Sequence, residues 1–152
     1  MTTRPLTQAD LETVSALGIS SKASWGYSAE EMNIFRGELT LSEQDIDGLL
    51  AAKVAVIDNE IVGYFTIRKH EDGAVELEHL FVAPHIFRKG VGSALLKEAR
   101  QAASKLGEPT LTIIADPNSA GFYEQAGATH VGDHNSSIPG RTIPVYEISS
   151  FP

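Results

Sequence analysis

Glu78-His79-Leu80-Phe81-Val82-Ala83-Pro84-His85-Ile86-Phe87-Arg88-Lys89-Gly90-Val91-Gly92-Ser93-Ala94-Leu95-Leu96 is the stretch on which the fold turns. It reads as an apolar strand, a loop marked by Pro84, then two cations and two glycines opening an amphipathic helix. The first turn of a helix carries unpaired N–H groups and a partial positive charge, so it attracts phosphate. Glycine at 90 and 92 removes side chains that would hold a pyrophosphate away from those N–H groups. Arg88 and Lys89 add full positive charge within a chain whose formal net charge is -8. The segment is a candidate anion cradle.

Outward from it, strand and helix signals alternate. Val54–Ile57 and Ile61–Arg68 are β-branched runs around the turn Asp58-Asn59-Glu60, a hairpin signature. Asp72-Gly73 turns the chain into a strand over Val75–Val82. Met1–Leu6 suits a short first strand, after which Thr7 or Asp10 can cap a helix to about Ile19. Ser28 and Glu31 form a capping box for a second helix to about Leu39, and Ser42–Leu50 suits another helical stretch. Downstream, Val91, Leu95, Ala99, Ala102, Ala103 and Leu106 recur at helical spacing until Gly107.

Thr110–Ala115 is nearly all apolar, as a strand buried on both faces would be. Asn118–Gln125 suits a short helix ending at Gly127, and His130–His134 and Thr142–Ile148 suit two last strands. Strand, helix and strand over residues 75–115 imply a parallel pair with a right-handed crossover. The expected class is α/β, with a mixed, largely antiparallel sheet of about six to seven strands and helices on both faces. One domain over residues 1–152 accommodates it.

Composition narrows the chemistry. Hydrophobic content of 42% with 21% charged residues is ordinary for a globular chain. No apolar run reaches the roughly 20 residues of a membrane-spanning helix. Met1-Thr2-Thr3-Arg4-Pro5 lacks a signal-peptide core, so a cytoplasmic location is expected. The acidic balance disfavours nucleic acid and suits a cationic small molecule. Zero cysteines remove disulfides, thiolate metal sites and a cysteine nucleophile. His130 and His134 would share a strand face but stand too far apart for a compact site, so no metal is expected.

Three phosphate-binding solutions compete for the glycine loop. A Walker A loop needs a Gly-Lys-Ser/Thr ending, and here Lys89 precedes the glycines. A dinucleotide loop needs a tight turn and a third glycine; Leu95 stands there, and a proline-containing loop separates Val82 from Gly90. The third solution is a coenzyme A pyrophosphate loop. Val82-Ala83-Pro84 followed by Arg88-Lys89-Gly90-Val91-Gly92 resembles the acetyl-CoA motif of the GNAT superfamily of N-acetyltransferases. That pattern is Arg/Gln-x-x-Gly-x-Gly/Ala, and Phe87 stands here at the Arg/Gln position with Arg88 one residue later. Asn118-Ser119-Ala120-Gly121-Phe122-Tyr123 to Gly127 resembles a second GNAT segment, shortened to Asn-x-x-Gly-Phe-Tyr.

The resemblance implies an acetyl-CoA-dependent acyltransferase that acetylates a primary amine by direct attack in a ternary complex. It implies that backbone groups of Leu80, Phe81 and Val82 pair with pantetheine, and that Arg88, Lys89, Gly90, Val91, Gly92 and Ser93 form the pyrophosphate cradle. Asn118 and Phe122 are expected beside the pantetheine arm, and Tyr123 matches the family's general acid. An amine with a pKa near 10.4 must lose a proton before attack. Alternation puts Glu76 and Glu78 on one strand face, Glu78 being the first choice of base and Glu76 the second, with His79 facing the other way.

Acceptors in this family usually lie between the first helical pair and the last hairpin. Trp25 and Tyr27 fall in that region and suit a cationic amine, while Arg141 suits a carboxylate on an amino-acid-like acceptor. A small-molecule amine is the expected partner, and a homodimer stays open. The alternative is an acetyl-CoA-binding or sensing module that does not turn over, motivated by Phe87.

Overall fold

The structure, a computed structural model, describes residues 1–151. Its elements in chain order are β1 (Thr2–Pro5), α1 (Leu11–Ala23), α2 (Ala29–Leu39), α3 (Glu43–Asp47), β2 (Ala51–Ile57), β3 (Glu60–Lys69) and β4 (Val75–Val82). They continue with α4 (Val91–Lys105), β5 (Thr110–Ile114), α5 (Ala120–Gln125), β6 (Thr129–Asn135) and β7 (Thr142–Ser149). The strands form one seven-stranded sheet in the order β1-β2-β3-β4-β5-β7-β6, antiparallel throughout except for β4 against β5.

Local chemistry explains most boundaries. Asp58 and Asn59 both take positive φ, 51° and 63°, which gives the β2–β3 hairpin a two-residue turn matched to strand twist. The Ser28 box forms as expected: Ser28 Oγ accepts from Glu31 N at 3.1 Å, and Glu31 Oε1 accepts from Ser28 N at 2.9 Å. A 3-10 turn over Gln8–Asp10 precedes α1, which runs on to Ala23, beyond the expected end. Only Glu43–Asp47 of the expected stretch 42–50 is helical, because Leu50 N already donates to Ile67 O at 2.8 Å beside β2. Leu106 is also corrected: it lies just past α4 and is 51% exposed.

Helices cover both faces. On one, Leu95, Leu96, Ala99 and Ala103 of α4 bury against Phe65, Ile67, Leu77, Leu111 and Ile113. On the other, Val14 and Leu17 of α1 pack with Val54 and Tyr64, and Met32, Phe35 and Leu39 of α2 pack against Phe81. β5 was expected to be buried on both faces, yet its residues alternate between buried and half-buried. Of its half-buried residues, Ile114 borders a cavity. No helix among the described residues is long and apolar enough to cross a membrane.

One irregularity matters for the site. Thr66 faces His79 and Ile67 faces Leu77, so Glu78 is a surplus residue with no counterpart on β3. This bulge resets the alternation. His79, expected on the far face, therefore shares the α1–α2 side with Glu78, and its Nδ1 lies 3.5 Å from Glu78 Oε1.

At the other end of the sheet, β1 is tied to the turn before α1 by an ion pair. Arg4 Nη1 and Nη2 donate to Asp10 Oδ2 and Oδ1 at 2.7 and 2.9 Å, and Thr7 N adds a bond at 2.9 Å. The Arg4 guanidinium outweighs the opposing effect of burial and holds the Asp10 carboxyl down at about 2. A carboxyl depressed on folding stabilises at pH above its unfolded pKa, and the benefit vanishes as pH falls through about 2. Asp10→Asn should therefore flatten part of the acid limb of stability between about pH 5 and 2, read by denaturant titration at each pH.

Candidate active site

The site grows from the parting of β4 and β5. The two strands share one facing pair, Glu76 with Thr112, and do not pair beyond it. Two cavities flank the resulting gap, one of about 330 Å³ beside the start of α4 and one of about 450 Å³ between α2 and the β6–β7 loop. They meet at Lys22, Leu80, Phe81, Asp116, Ser119 and Tyr123, which line both.

The smaller cavity is lined by most of the residues expected to form the cradle. Gly90 caps α4 in the left-handed conformation, φ 82°, and Arg88 is also left-handed at φ 64°. A β-carbon on Gly92 would stand at ordinary contact distances, 3.4 Å from the Phe122 ring and 3.7 Å from Val82, so a branched side chain there would crowd the helix start. Leu80, Phe81, Val82, Arg88, Val91, Ser93, Asn118 and Phe122 line the same cavity; Lys89 does not. Arg88 has no carboxylate partner among the described residues. Phe87 stacks on Trp25, centroids 5.8 Å apart and planes 17° apart. Trp25, expected in the acceptor region, thus belongs to the smaller cavity, where it braces the loop that carries Arg88.

A polar network occupies the junction. Asp116 Oδ2 accepts from Tyr27 Oη at 2.7 Å and pairs with Lys22 Nζ at 2.8 Å, while Asp116 Oδ1 accepts from Asn118 N and Nδ2 at 2.8 Å each. Burial alone would raise the Asp116 pKa, but Lys22 and Tyr27 outweigh it and hold the carboxyl low. Tyr27 Oη also accepts from Arg141 Nη1 at 2.9 Å. Tyr27 therefore supports Arg141 and Asp116 from behind, lining neither cavity itself.

Tyr123, on α5, is 6% exposed, and burial pushes its phenol above the ordinary value, so it stays protonated. Glu76 and Glu78 both line the larger cavity, as the shared strand face implied. Neither is idle: Glu78 Oε2 accepts from Arg68 Nε at 2.8 Å, and Glu76 Oε1 lies 2.6 Å from His70 Nε2. His79 lines the same cavity, with Nδ1 2.9 Å from Thr66 Oγ1 and its ring beside Tyr64 and Phe81. Burial lowers its pKa despite the opposing pull of Glu78, which keeps the ring neutral.

Sequence reading missed Lys22, Asp116 and Glu38 as wall residues. Asp116 left a trace, since its side chain caps the short 3-10 turn Pro117–Ser119. Lys22 and Glu38 left none, because only the tilt of α1 and α2 over the sheet brings them to the gap.

The family model described as acetyltransferase (GNAT) domain matches residues 27–137, and the chain belongs to that family. Among solved structures, it is similar to a GCN5-related N-acetyltransferase from Rhodopseudomonas palustris, with TM-score 0.80 and 20% identity over 97% of this chain and 94% of that one. It is also similar to PaiA N-acetyltransferase from Thermoplasma acidophilum in complex with coenzyme A, with TM-score 0.78 and 22% identity over 97% and 98%. A third is the ribosomal-protein-S18-alanine N-acetyltransferase from Escherichia coli, with TM-score 0.71 and 17% identity over 97% and 92%.

Proposed function

We infer that the protein transfers an acetyl group from acetyl-CoA to a primary amine of a small molecule or peptide. One observation carries this reading: a phosphate-type cradle and a separate polar cavity meet at a buried phenol beneath diverging strands. The fit to coenzyme A is local and chemical. Unpaired N–H groups open α4, Arg88 supplies charge for phosphate, and the unpaired edge of β4 at Leu80–Val82 offers backbone partners to an amide-bearing arm.

The amine enters from the larger cavity, loses a proton and attacks the thioester carbonyl; an N–C bond forms and the C–S bond breaks. Glu78, with Glu76 beside it, takes the amine proton directly or through water, and Tyr123 returns a proton to the departing thiolate. Without cysteine there is no thiol to carry an acyl-enzyme, so direct attack is the economical route.

Calorimetry with acetyl-CoA, with dephospho-CoA and NADH as controls, tests the reading first. Micromolar binding of acetyl-CoA followed by thiol release with an amine is the expected result. Binding without release for any amine would favour the sensing module that Phe87 motivates. No binding by folded protein would remove both.

A further inference from the structure

We propose that the acceptor carries a carboxylate close to its reactive amine, as an amino acid does, and that Arg141 reads this carboxylate. The inference rests on the acyltransferase reading above and narrows its substrate class. Arg141 follows the Pro139-Gly140 turn between β6 and β7 and lines the larger cavity. Every group that fixes it is neutral. Nε donates to Ser136 Oγ at 3.2 Å, Nη1 donates to Tyr27 Oη at 2.9 Å, and the guanidinium carbon lies 5.3 and 5.8 Å from the Tyr27 and Phe35 ring centroids.

No carboxylate pairs with it among the described residues, in a chain with 20 acids against 12 bases. Its orientation is therefore set while its charge is left uncompensated. A planar guanidinium held this way is prepared for a carboxylate, which it can grip through two parallel bonds. Lys22, the other cation of the cavity wall, is already bound to Asp116 at 2.8 Å and does not compete.

Position fixes the second part of the inference. Arg141 is one phenol away from Asp116, which lines both cavities, through the chain Arg141–Tyr27–Asp116. A carboxylate on Arg141 thus lies near the junction where the amine must meet the thioester, so the two groups are neighbours in the acceptor. The wall of the same cavity also carries Glu38, Glu76 and Glu78, which disfavour an acidic side chain on the acceptor.

The test is thiol release from acetyl-CoA with amino acids and their carboxamides, for wild type, Arg141→Gln and Arg141→Lys. Wild type should prefer the carboxylate by about tenfold or more in kcat/KM, mostly through KM, since a two-bond ionic contact is lost in the amide. Arg141→Gln should erase the preference, bringing kcat/KM for amino acids down toward that for their carboxamides, and Arg141→Lys should restore part of it. Acidic amino acids should be the poorest of the carboxylates. Equal use of both acceptor types by wild type would overturn the inference and leave the acyltransferase intact, and so would a preference that survives Arg141→Gln. Acetyl-CoA binding without release for any panel member would overturn it as well. Absence of acetyl-CoA binding would instead fall on the underlying reading and take the inference with it. If Arg141→Gln fails to fold, the wild-type comparison with Arg141→Lys still decides.

Discussion

Tyr123→Phe should lower kcat by about 100-fold or more while leaving acetyl-CoA affinity nearly unchanged, as expected for loss of a positioned general acid. The ring would remain, and with it the packing against Phe122 and Tyr146, whose centroids lie 5.1 and 6.5 Å from that of Tyr123. What disappears is the phenolic hydroxyl proton beside the point where the two cavities join. Burial raises the phenol pKa, which makes it a weaker donor to a thiolate in water. A thiolate released into the same enclosed space is raised by the same desolvation, so the proton transfer is not penalised by the full difference. Steady-state rates across pH, with affinity measured separately, distinguish this role from a structural one. Equal loss of affinity and rate would mark Tyr123 as a wall residue instead.

Gly92→Val should abolish measurable acetyl-CoA binding at concentrations where wild type is saturated. The branched side chain would enter space already bounded by Phe122 at 3.4 Å and Val82 at 3.7 Å. To fit, it must displace the Phe122 ring into the cavity or fill the approach to the α4 amides. Losing two charge-assisted hydrogen bonds at about 1.5–3 kcal/mol each reduces affinity by about 100-fold or more. Gly92 is not held at positive φ, so the backbone itself tolerates the change. Calorimetry on folded variant protein is the measurement, and retained affinity would show that the pyrophosphate is held without this helix start.

Much of the framework was readable because its determinants are local. β4 falls on Val75–Val82, between a glycine turn and Pro84, and the Ser28 box starts α2 where it should. The start of α4 at Val91 behind a left-handed Gly90 was readable for the same reason: glycines and helix-start amides need no distant partner to announce them. The Glu78 bulge was not, since an extra residue between Leu77 and His79 looks like ordinary alternation. Only pairing with β3 reveals it, and with it the placement of His79 beside Glu78. The Lys22–Asp116–Tyr27–Arg141 network was also hidden, because three separate parts of the chain contribute it. Arg141 and Tyr27 were singled out individually, but the bond that makes one the support of the other exists only in the fold.

The lone rung between Glu76 and Thr112 divides the sheet into two plates, β1 to β4 and β5 with β7 and β6. On one face α4 lies across both plates like a splint, touching β2, β3, β4 and β5. On the other, the span from α1 and its following loop to the second plate is made by side chains, Lys22 and Tyr27 reaching Asp116. The seam between the plates is the same line along which the two cavities open. An occupant of that cleft is therefore mortar as well as reactant, and each departure of product leaves the joint to its splint and its polar ties.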